Sequence, residues 1–303
     1  MAVKKVVVIV NGVESELSYD SASGKYFKEL TAPSKSSWNN NSGHYYPVTV
    51  KAEDTAGNMA TANDTHATLG NALKLDVDEK TSPVSTITSP TAGQKLINAK
   101  PTVSWKVTDN DSGVNPDTIA ITIDSGSKVT AGITKTAITG GYQCSYAIPS
   151  ALADGSHTVK VDATDYDGNK ATQRAVSFTV DTVPPQLSVT SPTNNLATNN
   201  KTVTVAGTTN DATSSPCTVT VKLNSGTAAA VEVGSNGAFS TTLTLVEGTN
   251  TIVVTSTDSA GKASSVTRTV LLDTKAPVIK EVTYSKNPVS TGEVFTIYVK
   301  VED

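Results

Sequence analysis

Residues 159–164 alternate apolar Val159, Val161 and Ala163 with polar Lys160, Asp162 and Thr164, the period of a strand with one face on a core. Val176, Phe178 and Val180 alternate with Ser177 and Thr179 in the same way. Between them the run DYDGN, residues 165–169, supplies side chains that tolerate left-handed backbone and bond their own main chain. A hairpin is predicted. The following residues 181–185, DTVPP, end the second strand, because proline gives no donor to a ladder and holds its predecessor extended.

This pattern recurs on both sides. VTVKAEDTAGN ends at Asn58, VKVDATDYDGN at Asn169 and VVTSTDSAGK at Lys262, so Asp54, Asp165 and Asp258 stand 111 and 93 residues apart. These are domain-sized periods, near the roughly 100 residues of a two-sheet sandwich. The connector recurs as DEKTSP (78–83), DTVPP (181–185) and DTKAP (273–277), and the phrase TSPT appears at 88–91 and 190–193. The predicted organisation is a first β-sandwich unit over 1–77, repeats over 78–180 and 181–272, and the start of a further, truncated repeat over 273–303.

Within these units the strands are legible. The first has Val6 to Val10 before an Asn11-Gly12 turn, and Tyr46, Val48, Val50 and Ala52 in alternation after a polar loop over 33–43 that carries Trp38. The second places Val103, Trp105 and Val107 inward. In the third, Val203 and Val205, then Val219, Val221 and Leu223, then Leu243 and Leu245 mark core faces, with outward positions mostly Thr, which favours strand and stays soluble. Residues 295–303 match 103–109 in pattern and in distance from their connector, so a fourth repeat begins there and the native polypeptide is expected to continue past Asp303.

The phrase of a strand, AxDxxGN, a strand and VDTxxP, as it stands over residues 163–184, resembles the tandem bacterial immunoglobulin-like domains of surface adhesins, large secreted proteins and phage tail or capsid accessory proteins. The resemblance implies an all-β chain of tandem immunoglobulin-like antiparallel β-sandwich domains forming an elongated rod. It implies a spacer, stalk or adhesive arm and carries over no catalytic residues.

Composition agrees with thin sandwich walls, since only 17% of residues are charged and 5% aromatic. A net charge of −4 without a basic stripe argues against nucleic acid. No apolar stretch is long enough to span a membrane. Lys4 and Lys5 precede an apolar run of only five residues, too short for a signal peptide. Cys144 and Cys217 fall in different repeats on inward faces and read as buried thiols.

Two candidate sites remain. Asp78, Glu79, Asp109, Asp111, Asp165, Asp167, Asp181 and Asp273 offer hard oxygen ligands to calcium at domain junctions, although Asp and Asn are also what such turns need for themselves. The third repeat looks the poorer, with Lys262 where the second has Asn169. Trp38, His44 and Tyr45 beside the Ser/Asn loop form a candidate glycan platform, against the ordinary use of Trp as a core plug. His44, His66 and His157 lie far apart and no nucleophile setting is recognisable, so no catalysis and no cofactor beyond calcium is expected.

The expected function is a non-enzymatic virion component of a phage, as tail, baseplate, fibre or capsid decoration. Its N-terminal unit would dock to other virion proteins, and many copies would bind host-surface glycans weakly. The alternatives are a cell-surface or secreted bacterial adhesin stalk and an accessory arm of a cell-wall hydrolase or glycosidase.

Overall fold

The computed structural model describes residues 2–40 and 42–303. The chain divides into two compact units, one of Met1–Gln94 with Ala99–Thr179 and one of Lys95–Asn98 with Val180–Asp303. No helix among the described residues is long and apolar enough to cross a membrane.

The first unit begins with an antiparallel sheet in the order Val13–Glu16, Val3–Val10, Tyr46–Asp54, Met59–Ala62, with Lys74–Leu75 also paired to Tyr46–Asp54. Its opening hairpin turns through Asn11 and Gly12 at φ of 48° and 75°, the left-handed pair that a two-residue turn of matching twist requires. A sandwich was expected over 1–77, but residues 3–75 supply this one sheet and a separate ribbon of Ser18–Asp20 against Lys25–Phe27. The reason is local: those two strands have three residues each and are mostly exposed, too short to present a second apolar face.

The remainder of this unit is a two-sheet sandwich. One sheet runs Thr134–Ile138, Gly141–Ala147, Thr102–Thr108, Val84–Ser89, and the facing one runs Val114–Ile123, Gly155–Asp165, Arg174–Val180. The alternation is realised as predicted: Val103, Trp105, Val107, Val159, Val161 and Val180 are completely buried. Trp105 pairs in register with Cys144, whose thiol is pushed up to about 11 by burial and stays protonated. Burying a side chain such as Phe178 contributes about 1.5–3 kcal/mol, so this core is the main stabilising element.

The second unit repeats the plan. Gln186–Ser191, Thr202–Asn210 and Ala238–Thr244 form one sheet, and Leu196–Thr198, Ala263–Leu272, Gly248–Thr257, Thr218–Leu223 and Ala229–Val231 the other. Val205, Val219, Ile252, Val254, Val270 and Leu272 make its centre. The TSPT phrase now has a structural meaning. The peptide Ser191-Pro192 is cis, and there the chain leaves the first sheet and joins the second, where Leu196–Thr198 runs parallel to Val270–Leu272. Gly207 is required where Thr202–Asn210 passes its neighbour, since a Cβ there would meet Ser188 O at 2.1 Å. The chain finishes in a ribbon of Val278–Tyr284 and Ile297–Glu302 whose residues are all exposed.

Candidate functional site

The Asp turn occurs in three copies, at Asp54, Asp165 and Asp258. In the first, Asp54 Oδ1 accepts the N–H groups of Ala56 and Asn58 at 2.8 and 2.9 Å, and Oδ2 accepts the Asn58 side-chain amide at 2.8 Å. In the second, Asp165 Oδ1 accepts Asn169 N–H at 2.7 Å and Oδ2 the Asn169 amide at 2.9 Å. In the third, Asp258 Oδ1 accepts Ala260 and Lys262 N–H at 2.8 and 2.9 Å, but Oδ2 is buried without a partner. Lysine offers no amide at that distance, so the substitution at 262 leaves one carboxylate oxygen unmet.

Around the second turn, ligand oxygens of Glu79, Asp109 and Asp165 lie within 4.8 Å of one another. Asp109 and Asp165 are 7% and 1% exposed. Asp109 comes from the end of Thr102–Thr108 and caps the loop that follows, accepting Asp111 and Gly113 N–H at 2.9 and 2.8 Å. Glu79 comes from the connector. Its N–H donates to Asp167 Oδ2 at 2.8 Å, and its carbonyl accepts the Asn169 amide at 3.0 Å. Burial pushes the Glu79 carboxyl up, helped by the Asp109 charge and the hydrogen bond to Asp165, against two bonds from Thr81 that pull it down. Glu79 therefore holds its proton to higher pH than usual and lends it to Asp165.

The candidate calcium set thus divides. Asp109 and Asp165 come together, Asp111 and Asp167 sit beside them with an oxygen each on a backbone N–H, from Ser36 and Glu79 respectively, and Asp181 belongs to another cluster. Asp78 is exposed and lies outside both, whereas Glu79, the other candidate on that connector, joins Asp109 and Asp165. Counting back four residues from the connector proline gives Glu79, Asp181 and Asp273 alike.

The other cluster, Asp181, Asp211 and Asp258, again has ligand oxygens within 4.8 Å of one another. Its members are 0%, 8% and 6% exposed. Asp211 escaped sequence reasoning, and the signal was spacing: Asp109 and Asp211 each stand 30 residues after their connector acids, Glu79 and Asp181.

The aromatic candidates do not form a sugar platform. Trp38 lies in the helical turn Ser37–Asn40, with His44 stacked at 3.9 Å and 12° and Tyr166 at 4.5 Å and 16°. Two rings that close and that nearly parallel cannot share one face, so both faces of the indole are covered. The surrounding bonds show what it does instead: Ser36 N–H donates to Asp111 Oδ1 at 3.0 Å, and the Asn39 amide donates to the carbonyls of Asp111 and Ser112 at 3.0 and 2.6 Å. Trp38 staples the polar loop onto the sandwich. Tyr45 donates to Asp64 at 2.9 Å with Lys74 Nζ 4.9 Å over its ring, while Tyr46 is buried as expected.

The histidines are likewise structural. His157 bridges Asp124 and the Ala153 carbonyl, each at 2.8 Å. Burial disfavours its charge, but the hydrogen bonds to Asp124 and Ala153 and the Asp124 charge together outweigh it and raise its pKa.

Comparison with known proteins places these sandwiches. Residues 86–182 match the family described as bacterial Ig-like domain, and residues 185–274 match glucodextranase, domain B. The chain is a tandem immunoglobulin-like domain protein. Domains of this kind are typically non-catalytic, and the array is consistent with a structural or adhesive role. No curated protein matches the chain. Similar solved structures include the fibronectin(III)-like modules of Clostridium thermocellum CbhA, at 18% identity and TM-score 0.37 over 62% of this chain and 94% of that one. Titin domains A168–A170 show 12% identity and TM-score 0.42 over 89% and 92%. CopC from Methylosinus trichosporium OB3b shows 30% identity and TM-score 0.25 over 32% and 93%.

Proposed function

We propose that the chain is a non-catalytic spacer and attachment segment of a larger assembly. The observation that carries this reading is the repeated joint. Glu79 and Asp181, each four residues before a connector proline, are both gathered with two strand-end acids of the sandwich that the connector introduces. The chemistry of the chain is thereby concentrated where one domain gives way to the next, which is where a spacer needs definition.

The carrier we favour is a phage virion, as tail, baseplate, fibre or capsid decoration, and this rests on the resemblance of the motif over residues 163–184. The N-terminal unit would dock to other virion proteins, and host-surface glycans would be bound weakly by many copies. The alternative of an accessory arm on a glycan-cleaving enzyme is favoured by the match of residues 185–274 to glucodextranase domain B.

The test displays the full chain singly and on a multivalent scaffold against intact bacterial cells and purified cell-wall glycan. Weak binding of single copies, gaining about 10²–10⁴ on display, is the expected result. Release of soluble sugar, or no gain on display, overturns the reading. A catalytic domain in the same reading frame would decide for the enzyme arm.

A further inference from the structure

The two sandwiches carry the same clasp at one corner, built from different side chains. In the sandwich over 181–272, Asn224 sits in a turn at φ of 52°. Its N–H donates to Thr251 O and its Oδ1 accepts Thr251 N–H, both at 2.7 Å. Asn250 Oδ1 then accepts the Asn224 amide at 3.3 Å, and the Asn250 amide donates to Val246 O at 2.7 Å. In the sandwich over 78–180, Asp124 takes the same turn, also at φ of 52°. It exchanges the same two bonds with Thr158, both at 2.7 Å. His157 stands where Asn250 does, with one ring nitrogen on Asp124 Oδ2 and the other on Ala153 O, each at 2.8 Å.

The chemistry differs at that point. An amide has donors and an acceptor, so Asn250 meets Asn224 with its oxygen and Val246 with its N–H, whatever the pH. A neutral imidazole carries one N–H, and His157 faces two groups that accept. Its side chain is 11% exposed, which leaves water little room to mediate. Burial works against the Asp124 charge, but the bonds from His157 and Thr158 and the His157 charge outweigh it and hold that carboxyl below its usual range. From Arg174–Val180 the group facing His157 is the uncharged Phe178 ring at 5.9 Å, and the loop adds a second acid, Asp154, next to Ala153 in the chain. Both bonds are made together only when both ring nitrogens carry protons.

We propose that His157 is a proton-operated clasp, which as imidazolium ties the turn at Asp124 to the loop at Ala153 and on losing its proton lets go of the loop. The bond kept is the one to the carboxylate, the stronger acceptor. The bare nitrogen is left against the Ala153 carbonyl, which repels it. The folded-state pKa of His157 is raised above its ordinary 6.5, burial being outweighed by the two bonds and the Asp124 charge. The clasp is therefore complete below about 6.5 and is lost as pH rises through the folded value. It lies beside the last strand of its sandwich, since Thr158 Oγ meets Ser177 Oγ at 2.9 Å, four residues before the connector acid Asp181. The amide pair of the sandwich over 181–272 is the version that pH does not touch.

The test uses the full chain. Long-range proton–nitrogen NMR from about pH 5 to 9 reads the ring nitrogens, with the His157 signals assigned by their loss in His157→Asn. Two protonated nitrogens are expected at about pH 6.5, with titration above it. Hydrogen exchange, expressed as protection factors, reads the loop at Leu152, whose N–H donates to Ala99 O at 2.9 Å. Protection there should fall on the order of tenfold between about pH 6 and 9. Its counterpart Leu245, bonded to Lys201 O at 2.8 Å, should not change. Asp124→Asn combined with His157→Asn copies the neighbouring amide pair and should keep Leu152 protected at both pH values. If that variant fails to fold, Asp124→Asn alone should bring the His157 titration down by about one unit. A His157 ring with a single N–H at pH 6.5 overturns the proposal, as does a wild-type loop whose protection follows that of the double variant at every pH.

Discussion

The turns closing the sandwiches of the second and third repeats hold their aspartates by the same kind of backbone bond; of the three positions at which they differ, Tyr166/Ser259, Asp167/Ala260 and Asn169/Lys262, only the last changes a side-chain bond to the aspartate. With Asn169 in place, both oxygens of Asp165 are satisfied, and burial beside it pushes the Glu79 carboxyl up. With Lys262 in the corresponding place, Asp258 keeps its backbone bonds and loses its amide. The backbone geometry of a turn is thus specified by the aspartate and glycine, while the electrostatic state of the joint is specified by the residue after them. Position 262 leaves one buried oxygen of Asp258 without the donor that position 169 gives Asp165.

The largest effect should come from removing the aspartates themselves. Asp165→Ala deletes bonds to a backbone N–H and to the Asn169 amide, and by hydrogen-bond energetics should cost about 3 kcal/mol in urea unfolding. Asp258→Ala should cost about 1 kcal/mol less, because the lost turn bonds are offset by relief of an unmet buried oxygen. Equal losses would break the comparison.

A middle-sized effect tests the side chain directly. Asn169→Lys should orphan Asp165 Oδ2 and destabilise the sandwich over 78–180 by about 1–2 kcal/mol. Calorimetry measures the loss; an unchanged melting temperature would separate the two turns on some other ground.

The smallest effect concerns protons. The folded-state pKa of Glu79 is raised above its ordinary 4.5, chiefly by burial. Its contribution is therefore complete below about 4.5 and is lost as pH rises through the folded value. Glu79→Gln should remove that falling limb, so that the wild type loses up to about 1 kcal/mol relative to the variant between pH 4 and 7 in urea midpoints. Parallel pH profiles would place the proton elsewhere.

Much of this fold was legible because alternation is a strong signal. Val103, Trp105, Val107, Val159, Val161, Val219 and Val221 were assigned inward and are buried, and the Asp turns were placed where they occur. The first unit was less legible. Its Val6 to Val10 and Tyr46 to Ala52 runs read correctly as strands, but nothing in a period of two says whether a sheet has a partner sheet. The site was half legible. Glu79, Asp109, Asp165 and Asp181 are legible as acids of the connectors and turns, while Asp211 is not, because only its 30-residue distance from the connector acid marks it. Trp38 was misread because alternation describes a residue's own element, and the ring that covers its second face, Tyr166, arrives from a different domain-sized repeat.

The crossing at Ser191-Pro192 carries a mechanical meaning. Because Leu196–Thr198 lies parallel to Val270–Leu272, the second strand of the sandwich over 181–272 neighbours its last. Tension drawn between the two ends of that domain meets first the Gln186–Ser191 strand, held by Thr202–Asn210, and then this seam. Because its two strands are parallel, the bonds from Asn195 N–H to Thr269 O and from Asp273 N–H to Thr198 O would resist in shear.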